Sequence, residues 1–318
     1  MEEKEPYEIN QENNRPVTDE EWTIHSLNIH GTFFQYQIAK TVATYKKSKL
    51  SLCHTEYPIE FSNDIKQFET RIDVLGYFKK TRNDSAIYLI IECKKCNPEF
   101  VNWVFFPRIK QQLSNSKSNT ITILQNSFYG SNNGDNSTCE SGYITKEVQK
   151  IDVAGDCREV RGTYQGDIRN KTKTSNSSIS DAAYQVLLGT HGFSKEQISP
   201  TLGQASLSIR HIFNKKIYYF PIIVTTANLY KINFDLSDIN LSNGEIKLDK
   251  CKLEFTPYIF YEYPISPYLQ IMHDQNPIDP YLVCQDLSIF RHILVVNSNS
   301  FTEVLDLLMN NEDFYFSN

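Results

Sequence analysis

RIDVLGYFKKTRNDSAIYLIIECKK, residues 71–95, is the stretch that indicates how this chain folds. Two runs rich in Ile, Val, Tyr and Phe flank a polar cluster of the kind that forms turns, and this pattern predicts a β-hairpin. If the turn centres on Arg82 and Asn83, residues that pair across it have numbers that sum to 165. Asp73 then lies opposite Glu92, and strand alternation directs Glu92 and Lys94 to the same face.

This arrangement brings two carboxylates and one ammonium group together. Like charges directly opposite on a sheet destabilise it and favour protonation of one carboxylate. A divalent cation removes that cost, because hard cations such as Mg²⁺ bind one or two carboxylates and keep positions for water and phosphate. The hairpin therefore predicts a site for Mg²⁺ (or Mn²⁺) at Asp73 and Glu92, with Lys94 beside a metal-activated water.

An Asp on one strand followed by Glu-x-Lys on the next resembles the PD-(D/E)XK nuclease superfamily, also called restriction-endonuclease-like. IDV supplies Asp73, and ECK supplies Glu92 and Lys94. The resemblance implies Mg²⁺-dependent cleavage of double-stranded DNA, with Asp73 and Glu92 as metal ligands and Lys94 assisting the attacking water. It also implies the main-chain carbonyl of Cys93 as a further ligand. The Pro of the family name is missing, because Ile72 precedes Asp73.

Many members of that superfamily add a glutamate from an element before the hairpin. The segment TEYPIEF offers Glu56 and Glu60. Glu56 is the stronger candidate, because it precedes the apolar Tyr57 and lies near the predicted start of a strand beside Asp73. Glu60 is as consistent with a solvated charge at the end of a strand.

Other interpretations of the hairpin compete with the nuclease. An exposed hairpin with mixed surface charge would also place Asp opposite Glu, but the uninterrupted apolar run from Ala86 to Ile91 is typical of a strand buried on both faces. A catalytically silent DNA-binding or scaffold protein with the same fold is the main alternative function. The nuclease is expected to be an endonuclease of bacterial restriction or phage defence, and a third possibility is that it stays silent until a regulatory partner or a small-molecule signal assembles it. Because cutting both strands of duplex DNA usually needs two active sites, a homodimer or a higher oligomer is expected.

The remaining pattern predicts an α/β fold with a restriction-endonuclease-like αβββαβ core, in which helices flank a mixed β-sheet. The first helix is expected at GTFFQYQIAKTVATYKK, and a clear amphipathic helix at SISDAAYQVLLGTHGF, which should end near Gly189 and Gly192. A short helix is expected in NWVFFPRIKQQL, with Trp103 and Phe105 in the core. Residues 114–180 are rich in Ser, Asn, Gly and Thr and predict a polar insertion with an exposed hairpin around Gly155.

Charge and composition exclude several classes of protein. The chain carries a formal net charge of −6. Residues 1–21 hold eight acidic and two basic residues, so the remainder is formally neutral and compatible with a DNA substrate. We expect an acidic flexible tail over residues 1–25 and a nuclease domain over residues 26–318. Seven irregularly spaced cysteines argue against a disulfide framework. With no leader-like segment or apolar span, a cytoplasmic protein without membrane contact is expected.

Overall fold

The structure is a computed structural model of the 318-residue chain. It describes the following residues, to which all structural statements refer: 9–10, 15–16, 18–45, 51–62, 67–79, 85–96, 100–108, 120–129, 138–148, 151–161, 174–198, 200–201, 214–264 and 290–310.

Strands predominate over helices in the described part of the chain. The helices are α1 (Asp19–Ile29), α2 (Thr32–Ala43), α3 (Ser177–Glu196) and α4 (Phe301–Asn310). The strands are β1 (Ile9–Asn10), β2 (Arg15–Pro16), β3 (Ser51–Ser62), β4 (Gln67–Lys79), β5 (Ala86–Lys94), β6 (Asn102–Pro107), β7 (Thr120–Tyr129), β8 (Thr138–Glu147), β9 (Val153–Val160), β10 (Thr174–Ser175), β11 (Asn214–Thr225), β12 (Asn228–Phe234), β13 (Cys251–Phe255), β14 (Tyr258–Pro264) and β15 (Phe290–Asn297).

All strands from β3 onwards join one mixed sheet, which confirms the predicted α/β class. Its main path runs β13-β12-β6-β9-β14-β15-β11-β5-β4-β3, while β7 and β8 branch from β11 and β10 pairs with β9. The neighbours β3, β4 and β5 are antiparallel, whereas β11 lies parallel to both β5 and β15. No described helix is both long enough and apolar enough to cross a membrane.

Helices cover both faces of the sheet, so β5 and β11 are buried on both sides. The apolar face of α2 (Ile38, Ala39 and Val42) and α4 pack on one face, and α3 packs on the other. Burial on both faces explains why β5 reads as a continuous apolar run instead of an alternating one.

The predicted hairpin register is confirmed, although its turn lies outside the described residues. Pairs from Val74 with Ile91 to Lys79 with Ala86 all keep the expected sum of 165. The ladder stops one step before Asp73 and Glu92. The strands therefore separate where the polar residues begin.

The sequence-based prediction of α3 identified its buried face correctly but ended the helix too early. Ile179, Ala182, Ala183, Val186 and Leu187 are buried as expected. The helix continues past Gly189 and Gly192 to Glu196 because tertiary packing there needs a residue without a side chain. A Cβ atom on Gly189 would lie 2.9 Å from Ile72 Cγ1.

Two further expectations are wrong. Asn102–Pro107 is strand β6 and not a helix. Trp103 and Phe105 are in the core, as expected, but they are buried there as part of the sheet. The predicted exposed hairpin around Gly155 is a single strand, β9, between β6 and β14. The described parts of the polar stretch 114–180 thus supply β7, β8 and β9 to the main sheet.

Candidate active site

Asp73 lies where β4 and β5 separate, and its carboxylate takes over the hydrogen bonding that the ladder gives up. The main-chain N–H of Cys93 donates to Asp73 Oδ2 at 2.8 Å. This bond holds one carboxylate oxygen against β5. Burial raises the pKa of Asp73 to about 6, with a further increase from the charge of Glu56, while the Cys93 hydrogen bond and Lys94 act in the opposite direction.

Glu92 is the most buried of the predicted site residues, with 9% of its side chain exposed. Ile90 and Tyr88, two and four residues before Glu92, pack in the core cluster that contains α3. Because every second residue of a strand points to the same face, Glu92 belongs to the α3 face of the sheet. Burial, followed by the charge of Asp73, raises the pKa of Glu92 to about 8. Lys94 Nζ lies 3.6 Å from Glu92 Oε1 and favours the ionised form. One buried and one half-buried carboxylate thus share one ammonium group.

Glu56 adopts a left-handed backbone conformation, with φ of 52°. This conformation is costly for a residue with a side chain, and such strain is concentrated at functional sites. On either side of Glu56, Thr55 pairs with Val74 and Tyr57 pairs with Ile72, so Glu56 is aligned with Asp73. Its exposed carboxylate lies 3.7 Å from the Arg71 guanidinium. The structure therefore places Glu56 beside Asp73, at the edge of the cluster.

Gln35 is a site residue that the sequence did not reveal. Its Nε2 donates to Glu56 Oε1 at 2.6 Å and to the main-chain oxygen of Asp73 at 2.9 Å. One amide on α2 thus fixes the relative position of two predicted site residues on β3 and β4. A glutamine on the polar side of an amphipathic helix carries no sequence signal that separates it from solvated residues.

The same helical layer also reaches the residue after Lys94. Lys95 Nζ donates to the main-chain oxygen of Asn28 near the end of α1 at 2.5 Å. Gly31, at the N-cap of α2, has φ of 77° and would bring a Cβ within 3.3 Å of Lys95 Cβ. This close approach holds the α1–α2 junction against the end of β5. Residues 19–25, assigned from sequence to a tail, are helical in α1.

The donor set of the cluster fits a hard divalent cation. Carboxylate oxygens and a main-chain carbonyl are the ligands that Mg²⁺ prefers, and a net buried negative charge is what a cation would neutralise. Among the described residues, no three His, Cys, Asp or Glu side chains gather into a metal-binding group. The fit therefore rests on Asp73, Glu92 and the Cys93 carbonyl, with Glu56 acting through its charge.

Cys93 does not supply a thiolate to this cluster. Burial and the charges of Asp73 and Glu92 raise the pKa of its thiol. The side chain packs among apolar residues on the α2 face, opposite to Glu92. Its main-chain N–H faces the separation between the strands, where it donates to Asp73.

No protein-family model matches the chain, and neither a curated protein nor a solved structure resembles it at a significant level.

Proposed function

We propose that this protein is a metal-dependent nuclease that hydrolyses phosphodiester bonds in DNA. The observation that carries the proposal is the group of Asp73, Glu92 and Lys94, in which Glu92 is buried and the other two are half-buried, at the point where β4 and β5 separate. Burying two carboxylates with one ammonium group is costly unless a ligand balances the charge. A bound divalent cation would supply that balance.

The order of the elements supports the same proposal. Strands β6 to β10 intervene between β5 and α3. With these strands set aside, α2, β3, β4, β5, α3 and β11 follow an α-β-β-β-α-β order, with β11 parallel to β5. This is the order expected of a restriction-endonuclease-like core. Strands β6 to β9 and β12 to β15 enlarge the sheet around it.

In this proposal, Asp73, Glu92 and the Cys93 carbonyl hold the metal. When bound, the metal lowers the pKa of a coordinated water and stabilises negative charge on the phosphate. Lys94 orients the attacking water, and its separation of 3.6 Å from Glu92 shows that the ammonium group reaches the cluster. Gln35 is a positioning residue, because it contacts Glu56 and the Asp73 backbone and not the reacting atoms.

Plasmid cleavage tests the proposal. We expect nicking or linearisation with Mg²⁺ or Mn²⁺, inhibition by chelator, and a loss of at least about 100-fold in Lys94→Ala, the scale typical of a proton-transfer or positioning group. Lys252→Ala is the matched control, because Lys252 lies exposed on β13 at the far end of the sheet path from β3. Equal cutting by both variants, or cutting that survives chelation, would refute the assignment.

The silent alternative makes a different prediction in the same samples. A DNA-binding or scaffold protein would retain DNA without cutting it and would release no heat on Mg²⁺ titration. A nuclease that awaits a partner or a second copy would bind Mg²⁺ at Asp73 and Glu92 before it cuts. Calorimetric titration of Mg²⁺ into the wild type and Asp73→Asn separates these outcomes. We also propose that the protein acts in restriction or phage defence and that it is located in the cytoplasm.

A further inference from the structure

A second concave site lies on the same three strands as the acidic cluster. It has a volume of about 340 Å³, within the range of about 300–1,000 Å³ typical of ligand pockets. Aromatic side chains from β3, β4, β5 and α3 form much of its wall. The aromatic lining residues are His54, Tyr57, Tyr77, Tyr88 and Phe193.

The aromatic rings are held by one another and by polar contacts at the end of α3. Tyr77 and Tyr88 are cross-strand partners with ring centroids 4.8 Å apart, and Phe193 meets Tyr88 edge-on at 4.8 Å. The Tyr88 hydroxyl donates to Gln197 Oε1 at 3.3 Å. Because the wall is fixed before any ligand arrives, a planar group would bind with little loss of side-chain freedom.

Polar groups at this pocket suit the edge of a planar heterocycle. Gln197 supplies an amide, His54 and Tyr57 supply ring and hydroxyl groups, and Lys215 adds a cation from β11. The lining of the pocket is therefore neither purely apolar nor purely charged. Faces for stacking and polar groups for ring edges match a nucleobase.

The position of the pocket relates it to the acidic cluster. Tyr77 lies four residues after Asp73 on β4, and Tyr88 lies four residues before Glu92 on β5. At about 3.3 Å per residue the separation is about 13 Å, the length of about four stacked nucleotides. Gly189 of α3 packs on Ile72 and Ile90 between the two sites. A nucleic-acid strand that connects them would therefore follow the β3 side of the sheet.

We infer that this aromatic pocket receives an unpaired base of the nucleic acid that the acidic cluster cuts. The inference rests on the proposed function, and it assigns the substrate a single-stranded or locally unpaired segment a few nucleotides from the scissile bond. A base inside a duplex has its faces stacked on its neighbours, so it cannot occupy such a pocket without leaving the stack. Tyr77 provides the stacking face, and Tyr88, which is itself stacked on Tyr219 with ring centroids 5.7 Å apart, packs against the Tyr77 ring.

Equilibrium binding in chelator tests the pocket without requiring cleavage. We expect a short single-stranded oligonucleotide to bind the wild type more tightly than the corresponding duplex. Tyr77→Leu should weaken single-strand binding by about 10- to 100-fold, as expected for a lost base–aromatic stack, and Tyr77→Phe should retain it. Tyr129→Leu is the matched control, since this exposed tyrosine on β7 does not line the pocket.

A second measurement places the change in the oligonucleotide, so that the wild-type result is free of any effect on folding. An abasic substitution scanned through the oligonucleotide should weaken wild-type binding at one position and have no further effect in Tyr77→Leu. Equal affinity of the Tyr77→Leu and Tyr129→Leu proteins for the single strand would overturn the inference. So would a free deoxynucleotide that binds through Tyr77 while oligonucleotide binding ignores that residue, because the pocket would then serve a small molecule.

The two proposals fail in different ways. If Tyr77→Leu leaves strand binding unchanged while Lys94→Ala still abolishes cutting, the pocket assignment is wrong and the nuclease stands. If base binding depends on Tyr77 but no metal supports cutting, the catalytic proposal is wrong and the pocket stands, now as a site of a DNA-binding protein.

Discussion

Replacing Glu92 by glutamine should stabilise the metal-free protein near neutral pH, although it removes one member of an ion pair. Burial and the charge of Asp73 raise the pKa of Glu92 to about 8, whereas a glutamate in an unfolded chain has a pKa of about 4.3. The protonated carboxyl therefore favours the folded state below about pH 4.3, and that advantage is lost between about pH 4.3 and pH 8. A glutamine side chain has no charge to bury at any pH.

The size of the effect follows from the difference between the two pKa values. Each pKa unit corresponds to about 1.4 kcal/mol, so the interval from about 4.3 to pH 7 sets an upper limit of about 4 kcal/mol. The loss of the Lys94 contact and the sharing of charge with Asp73 reduce the expected gain to about 2 kcal/mol. For a chain of this size about 1 kcal/mol shifts Tm by about 2–4 °C, so we expect an increase of about 4–8 °C.

Thermal unfolding in chelator at pH 5 and pH 8 measures this gain, and Glu159→Gln supplies a matched control. Glu159 is also a buried glutamate, but its carboxylate accepts hydrogen bonds from the Ile179 N–H at 3.0 Å and the Ser178 hydroxyl at 2.9 Å, at the start of α3. Its replacement should lower stability at both pH values, by about 1–3 kcal/mol. Glu92→Gln should raise Tm more at pH 8 than at pH 5.

Metal addition gives the complementary result. Mg²⁺ should raise the Tm of the wild type, because a ligand that binds only the folded state stabilises it, and should leave Glu92→Gln almost unchanged. A lower Tm for Glu92→Gln at pH 8, equal to the loss at pH 5, would refute the reasoning. It would mean that Glu92 and Lys94 form a structural ion pair.

Three further predictions concern the surroundings of the site and a buried histidine of β15, His292. Gly189→Ala should cost about 1–3 kcal/mol, measured by urea unfolding, because its Cβ would lie 2.9 Å from Ile72 Cγ1. Glu56→Gly should be more stable than Glu56→Ala by about 1 kcal/mol in the same assay, since glycine relieves the left-handed φ of 52°; equal stability would contradict the strain. Burial lowers the pKa of His292 well below its usual value, so stability should fall as pH drops below about 6.5, and a His292→Gln variant should show a shallower pH dependence.

The local pattern of the sequence predicted much of the hairpin and the buried face of α3. Both depend on neighbours along the chain: the turn fixes the sum of 165, and helical spacing selects Ile179, Ala182 and Val186. The side-chain contacts of Asp73 were not predictable in this way. The bond from the Cys93 N–H exists because β4 and β5 separate there, and no local pattern encodes that separation.

Long-range packing accounts for the other differences from the sequence-based prediction. Asn102–Pro107 has the spacing of a short apolar helix, but parallel pairing with β12 and antiparallel pairing with β9 make it a strand. Gln35 became recognisable only when α2 was placed against β3 and β4. Contacts between elements far apart in sequence decide both cases, and propensity alone does not determine them.

The backbone of Glu56 connects the acidic cluster to the aromatic pocket. His54 and Tyr57 both line the pocket although they are three residues apart, which strict alternation along β3 forbids. The left-handed conformation of Glu56 between them breaks the alternation. Strand β4 shows the matching break, since Ile72 and Leu75 pack in the same core cluster.

This break in alternation lies beside Asp73 because Glu56 is aligned with it across the strand pair. The same distortion therefore turns Tyr57 towards the pocket and accompanies the separation that lets the Asp73 carboxylate reach the Cys93 N–H. Strain of this kind persists only where surrounding contacts over-determine it, and Gln35 supplies two such contacts. Gln35→Ala should accordingly alter both metal binding at Asp73 and the binding of single-stranded nucleic acid in the aromatic pocket that Tyr57 lines. An effect on only one of these two affinities would show that the two sites are independent.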